Sequence, residues 1–523
     1  MERRGNASGT TSVAKDEQEL QQVGVVKERE RVRWGIVVLL GVALVIGTNA
    51  WLRRSELLIG GSEVIGGNPP LPALVALIFI IVWNRLIPQF AVRRVEALAL
   101  YAFVCLALPI SKYGGFRAFF PCLTVPFYFA SPENNFRDLW DSLPEWMVPH
   151  DRVVIRAYFE GSPNAQVPWE AWLTPLVLWC IFFFALYILL ATIVKLFERV
   201  WIEHDRLTFP LLYLPLHLVE QKPPRDHPPF FRDGLMWLGF SIPTIYNVLN
   251  IMQSLYPSFP ALRRVYDLGQ HFESMPLVAI RPLRIYQLPE GVGFGYLVPQ
   301  DVLFSVWFFY FVLKVMAVVG AMAGFKFQGY PYPHEQSAGG YVAMAVLLLW
   351  AVRHRLREAP RWLWAVLVVS LLIVLGFMVL AGMKLPMAVL FMSILLLFAI
   401  TYSRARGEVG FPYTWQYPYG AQREMLFWLL GGTGLLRIGD VRSVHLLATF
   451  NFLSRHYYPN LISAYFLDTF KLIRIASLPW RPMVMLILLA LPIGYAAGAW
   501  AHLTTCYNIG AHMLEGGGGR GDY

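Results

Sequence analysis

Charge is what this sequence has least of. Asp, Glu, Lys and Arg together supply 15% of its 523 residues, while 56% are hydrophobic. A water-soluble domain carries about 25% charged residues, so this composition excludes an ordinary soluble fold. Cysteine is nearly absent as well. Cys105, Cys122, Cys180 and Cys506 lie in or beside apolar runs, with spacing that fits neither a zinc site nor a disulfide framework. They read as packing residues. No basic arm with interleaved aromatics accompanies the formal net charge of +10, which argues against nucleic acid. Lys and Arg gather at the cytoplasmic ends of membrane segments in any case. The strings "PHEQ" (333–336) and "EHD" (203–205) lack the i, i+4 histidine pair of a helical zinc site. "GGTGLL" (431–436) lacks the Lys-Ser/Thr ending of a phosphate loop, and no nucleophile elbow or Ser-His-Asp order stands out. Neither a metal nor a cofactor is expected.

Long apolar runs are what the sequence does have. Several approach or exceed the roughly 18–20 apolar residues a helix needs to cross a bilayer. The expectation is an all-α, polytopic transmembrane helical bundle with about 11–12 membrane segments, some of them broken or re-entrant. Full spans are read at 34–51, 71–90, 95–111, 172–194, 234–256, 300–325, 339–352, 362–383, 385–403 and 483–505, with a short re-entrant piece at 425–436. Residues 1–33 are a polar, mixed-charge tail without the short basic start of a secretory signal. Seven basic residues precede the first run and place this tail in the cytoplasm. Within the transmembrane domain, 34–506, a Pro- and Trp-rich loop at 112–167 reads as an extracytoplasmic lid, and 441–476 reads as amphipathic helices. The Gly-rich end, 507–523, reads as disordered.

The segment "WIEHDRLTFPLLYLPLHLVEQ", 201–221, fits neither span nor loop. A charged cluster runs into an apolar stretch interrupted by Pro210 and Pro215. Counting full spans alone would put the arginine-rich loop "RHRLREAPR" (353–361) on the outside, against the bias of Arg toward the cytoplasm. One more crossing, by Leu207 to Gln221 as a broken helix, restores it. Broken helices of this kind build substrate and ion sites in transporters, because irregular backbone at membrane depth survives only where protein or water surrounds it. The plainer reading is an interfacial elbow shaped by the two prolines.

Several polar groups are candidates for a substrate or ion path. Lys314 falls near the middle of an apolar run, where an ammonium needs a partner or a wet cavity; a structural ion pair is the alternative. Tyr246, Asn250 and Gln253, at i, i+4 and i+7, share a helix face, with Asn247 beside it. They line a path or bond a neighbouring helix. Glu203, His204, Asp205 and Arg206 form the collar of the broken segment. Glu408 lies between arginines before a Gly-Pro break, as a proton or charge partner or as part of an ordinary turn. The partners implied are the lipid bilayer and a small polar solute.

The strings "SELLIGGSEVIGGNPPLP", "SPENNF", "LPEWMVP", "YFEGSPNAQVPWEAW" and "VWIEHDRLTFPLLYLPLHLVE" occur in an order that resembles a bacterial and archaeal multi-spanning family without an assigned function. That resemblance covers about 34–505 and implies the plasma (inner) membrane of a prokaryote. Relatives in that family continue with further C-terminal spans, which implies a truncated chain, a missing C-terminal partner or a homo-oligomer. "DRLTFP" and "RARGEVGFP" also resemble two elements of the oligopeptide transporter superfamily. The first continues "LLY" where those transporters place small Ser and Gly. The likeness implies proton-coupled uptake of peptides or metal chelates through a pseudo-symmetric bundle. The expectation is therefore a secondary transporter. A membrane-embedded enzyme acting on lipid-linked or cell-envelope substrates, with Glu133, His150, Asp151 and Glu160 as acid/base groups, is the alternative, and a non-transporting scaffold is a third.

Overall fold

The structure is a computed structural model, and it describes residues 32–60, 70–112, 114–220, 230–325, 327–410, 418–454 and 458–515. The chain runs α1 (Trp34–Leu52), α2 (Leu71–Leu86), α3 (Arg94–Ala107), α4 (Phe116–Tyr128), α5 (Arg152–Glu160) and α6 (Trp169–Arg199). It continues as α7 (Pro210–Leu218), α8 (Gly234–Leu255), α9 (Pro289–Gly295), α10 (Gln300–Met322) and α11 (Pro333–Leu356). The last third holds α12 (Arg361–Leu380), α13 (Leu385–Val409), α14 (Ala421–Ile438), α15 (Val441–Thr449), α16 (Tyr458–Ile475) and α17 (Trp480–Ile509). The one sheet among the described residues pairs β1 (Val265–Asp267) with β2 (Arg284–Tyr286), antiparallel. Nine helices among the described residues are long and apolar enough to cross a membrane. The chain is an all-α, membrane-embedded polytopic bundle. The sixteen-residue α2, the nine-residue α7 and the α14 helix, which breaks at Gly431, account for the shorter segments.

The centre is α3. Its sequence is apolar on every side, and a helix with no polar stripe has to be covered all round; Val95 to Ala107 are all buried. Its one carboxylate, Glu96, is wholly buried and fully answered. Arg33 donates to it from Nε at 2.9 Å, from Nη2 at 2.6 Å and from its backbone N–H at 2.8 Å. This two-pronged pair ties the start of α1 to the start of α3. Around α3 stand α1, α2, α16 and α17, while α6 packs along α12 and α13 packs along α11 and α16. An aromatic knot joins α6 to its neighbours: the Trp179 ring lies 4.9 Å from Phe119, edge-on, and 4.9 Å from Phe377, tilted, and Phe182 lies at the same distance from Phe377.

Three stretches differ from the sequence reading. The expected surface loop at 112–167 begins with α4, whose Phe116, Phe119, Phe120 and Leu123 are buried in the bundle. Pro121 and Pro126 inside it masked the helix, since proline marks breaks more often than helix interiors. The polar side of the 441–476 stretch is turned inward rather than to the surface: Ser463, Asp468 and Thr469 of α16 are buried. Residues 507–515, expected to be disordered, are ordered. They end α17 and form a turn at Ala511–Met513, with Gly510 against the Phe159 carbonyl of α5. The polar tail up to residue 31, expected to be cytosolic, Gln221 and the glycine run 516–519 lie outside the described residues.

Two sites fix the packing at one end. At Gly494, α17 meets the α3 backbone: a Cβ there would sit 1.9 Å from the Ala107 carbonyl oxygen. Asp440 caps α15, accepting from the Ser443 amide and hydroxyl at 2.7 Å each, with Lys384 Nζ at 3.7 Å. The Ser443 hydroxyl, its amide and the Lys384 charge hold the Asp440 carboxyl below its ordinary range. Gly494→Ala is expected to destabilise by about 1–3 kcal/mol through overpacking, whereas Gly376→Ala, with open space around it, should be neutral; thermal unfolding in detergent measures both. Asp440→Ala should cost about 1 kcal/mol, the usual loss of an N-cap. A depressed carboxylate stabilises above its unfolded value, so that difference should vanish as pH falls through the native value and Asp440 becomes protonated.

Candidate functional site

The broken segment owes its shape to three local features. α6 ends in a π-helical turn, Val200–His204; Arg206 and Phe209 then take left-handed backbone, at φ 50° and 49°, and Pro210 opens α7. Left-handed non-glycine residues are uncommon and strained, and they persist where the surroundings hold them. Here the end of α13 does so. The Phe209 N–H donates to the Gly407 carbonyl at 2.8 Å, and the Thr208 hydroxyl donates to the Glu408 carbonyl at 2.8 Å. The approach is close enough that glycine is required. A Cβ at Gly407 would lie 3.1 Å from both Leu207 and Leu467, and one at Gly410, at φ 68°, would lie 2.8 Å from Pro210. Residues 205–210 and 404–410, two hundred residues apart, are thus laid one on the other.

Charge follows the same seam. Asp205 pairs with Arg404, which also reaches Glu408 at 3.3 Å. Glu203 pairs with Arg474 of α16 and with Arg199 at 3.1 Å. Arg474 also holds the buried Glu198 at 2.7 Å, and Glu198 in turn pairs with Lys195. His204 Nε2 is 2.9 Å from Arg355 at the end of α11. Most of these groups are partly exposed. They form a collar around one end of the bundle.

One ion pair lies beneath the collar. Arg406 of α13 and Asp468 of α16 approach to 3.3 Å, with side chains 2% and 12% exposed. The guanidinium stands 4.7 Å over the Tyr465 ring, and the buried hydroxyls of Tyr101 and Tyr402 stand around the pair. Asp468 lies six residues inward of Arg474, about 9 Å along a helix. Nearby, the Ser403 hydroxyl donates to Ser463 at 2.7 Å, so the α13–α16 seam is polar through several turns. In a bundle this apolar, a buried charged pair is where function is to be sought first.

The sequence candidates therefore divide into two groups. Glu203, His204, Asp205, Arg206 and Glu408 come together at the collar; His204 bonds Arg355, and Arg206 has left-handed backbone. Lys314 and the α8 face lie apart from it. Lys314 Nζ donates to the Pro282 carbonyl at 2.5 Å, and the Tyr246 hydroxyl donates to the Gln287 carbonyl at 2.9 Å. Asn250 bonds the Tyr246 carbonyl within its own helix, Asn247 is half-buried and Gln253 is exposed. These residues fasten α8 and α10 to the excursion between them. The loop carboxylates also do not converge. Asp151 caps α5, Glu160 pairs with Arg156 at 2.8 Å, and His150 faces Glu145 at 4.0 Å. Among the described residues no three His, Cys, Asp or Glu side chains cluster as metal ligands.

Arg406 and Asp468 escaped the sequence reading. A signal for Arg406 was present: Phe391, Leu395, Phe398, Tyr402 and Arg406 follow the 4-3-4-4 spacing of one helix face, whereas Arg404 and Glu408 lie on another. Nothing comparable pointed to Asp468.

The collar also constrains topology. His204–Arg355 and Asp205–Arg404 put the C-terminal ends of α6, α11 and α13 at one membrane face. Were α8 and α10 both to span the membrane, the chain between His204 and the start of α11 would need a third crossing, and the broken segment after α6 is the expected place for it. Cysteines placed at Tyr296 and Arg357 should accordingly label with an impermeant maleimide from the same face, and one at Asp233 from the other. Opposite-face labelling of Tyr296→Cys and Arg357→Cys would remove the crossing.

No curated protein and no solved structure matches the chain. Residues 26–519 match the model of a family of unknown function (DUF6785), and the chain belongs to that family.

Proposed function

We propose that this membrane protein is a secondary transporter for polar solutes such as peptides, coupled to protons, in the manner of the oligopeptide transporter superfamily. The observation that carries the reading is the buried Arg406–Asp468 pair beneath a broken helix. Removing two charges from water costs several kcal/mol each, and a bundle would be as stable or more so with apolar residues in their place. Its cost is intelligible if the pair is opened and reclosed by a charged guest. A peptide carries both an ammonium and a carboxylate and can exchange with both members. Arg404, Asp205 and Glu408 would meet the solute first, at the collar, and Glu408 would serve as a proton or charge partner. The strained elbow at Arg206–Phe209 would be the part that moves, because it is held by few bonds and stores backbone energy. In this reading the arginine-rich collar is the cytoplasmic face, and Lys314 serves the excursion rather than the path.

Proteoliposomes with an inward pH gradient and a mixed peptide pool test the proposal. Wild type should accumulate peptide, and Lys314→Met should keep that uptake. Asp468→Asn should abolish it and destabilise the protein by about 3–5 kcal/mol, because Arg406 is left buried without its counter-ion. Arg406→Met combined with Asp468→Leu should recover the unfolding temperature without recovering uptake. If the double variant transported like wild type, the pair would be structural and the proposed path wrong.

A further inference from the structure

At the face opposite the collar, α1 and α17 part to leave an apolar groove of about 470 Å³. Ile46 and Ala50 line one wall, Ile493, Ala497 and Trp500 the other. Ile46 and Trp500 are more than half exposed, so the groove opens sideways. It leads into a second, polar notch, because Asn49 and Ala501 line both. The notch holds about 20 Å³, enough for one water-sized group. Arg53, Glu56, Ser111, Arg117 and His502 surround it. It sits far from the collar: α17 starts with Trp480 4.1 Å from Lys195 Nζ and reaches the notch only at Gly498–His502.

The charge at this notch runs against the general bias. Lysine and arginine favour the other face of a membrane protein, yet Arg53 and Arg117 both line this notch beside the single acid Glu56. Arg117 Nη1 donates to the Glu56 carbonyl at 3.0 Å, while the Arg53 guanidinium makes no hydrogen bond or ion pair with a described residue. Arg53 and Glu56 are presented by a π-helical turn, Arg53–Leu58, that continues α1; such turns recur at binding sites. His502 is turned away from this role, bonded through Nε2 to Tyr158 at 2.9 Å and stacked on Phe120.

We propose that groove and notch together bind one anionic glycerophospholipid of the bilayer. An acyl chain lies between α1 and α17, and a phosphate oxygen enters the notch to meet Arg53 and Arg117. Groove and notch together run eight residues on each helix, Ile46 to Arg53 and Ile493 to Trp500, about 10 Å of contact. The groove therefore takes part of a chain. An apolar cleft alone would accept any lipid; the excess of cations at its end selects the anionic ones. The site does not depend on the transport reading.

The test uses the full chain, purified, delipidated and supplied with phosphatidylglycerol or phosphatidylcholine. Retained lipid is read by native mass spectrometry and the unfolding temperature is followed in parallel. Phosphatidylglycerol should be retained selectively and should raise that temperature. Arg53→Gln removes no bond to a described residue, so it should fold and bind phosphatidylglycerol about five-fold more weakly, with phosphatidylcholine unaffected. Ala497→Phe, which fills the groove, should lose phosphatidylglycerol while keeping its unliganded unfolding temperature. Equal retention of the two lipids by wild type, or wild-type retention by Arg53→Gln, would overturn the proposal. So would inorganic phosphate alone reproducing the full rise in unfolding temperature, which would make the notch a site for a free anion.

Discussion

A backbone hydrogen bond of 2.8 Å, from the Phe209 N–H to the Gly407 carbonyl, sets the register on which the collar depends. It seats the elbow after α6 on the last turn of α13, where Gly410 takes a left-handed backbone and a Cβ on it would meet Pro210, and where Gly407 leaves room for Leu207 and Leu467. Once the elbow is seated, Asp205 falls beside Arg404 and Glu203 beside Arg474. Three helices that are distant in sequence thereby share one charged rim.

The rim and the pair beneath it obey different electrostatics. Partly exposed partners such as Arg199–Glu203 are screened by water and salt, and each contributes at most about 1 kcal/mol. They can exchange partners cheaply. Arg406 and Asp468 have no such freedom, because water is excluded and each is the other's counter-ion. A gradient from loosely held to tightly held charge runs inward along α13 and α16. Under the proposed transport function, such a gradient would let a charged group be taken up in steps rather than across one high barrier.

Much of the fold was legible because bilayer thickness imposes run length. The spans α1, α6, α8, α10, α12, α13 and α17 end within a few residues of where hydropathy placed them, apart from the added turns of α6 and α13. What failed had a physical cause in each case. α4 was hidden by two prolines tolerated inside a buried helix. The 441–476 stretch was legible as amphipathic, but nothing in it showed that its polar residues Ser463 and Asp468 would face α13. The collar was legible as an oddity of composition around Glu203–Arg206. Its counterpart Asp468 was not, because a single acid in an apolar helix has the same sequence signature whether its partner is an arginine or a headgroup. Lys314 shows the converse. A cation in mid-run invites a functional reading, yet here a carbonyl of the chain's own excursion satisfies it.

The clasp between Arg33 and Glu96 has a consequence for biosynthesis. Its halves are separated by 63 residues, one ahead of the first helix and the other at the opening of the third. As the chain is inserted, α1 and α2 arrive before Glu96 exists, and α3 then enters with a carboxylate that lipid will not accept alone. If the clasp forms during insertion, the first two helices would stay beside the third until its carboxylate is neutralised, and a three-helix unit locked at one end would be the part of the bundle that closes first.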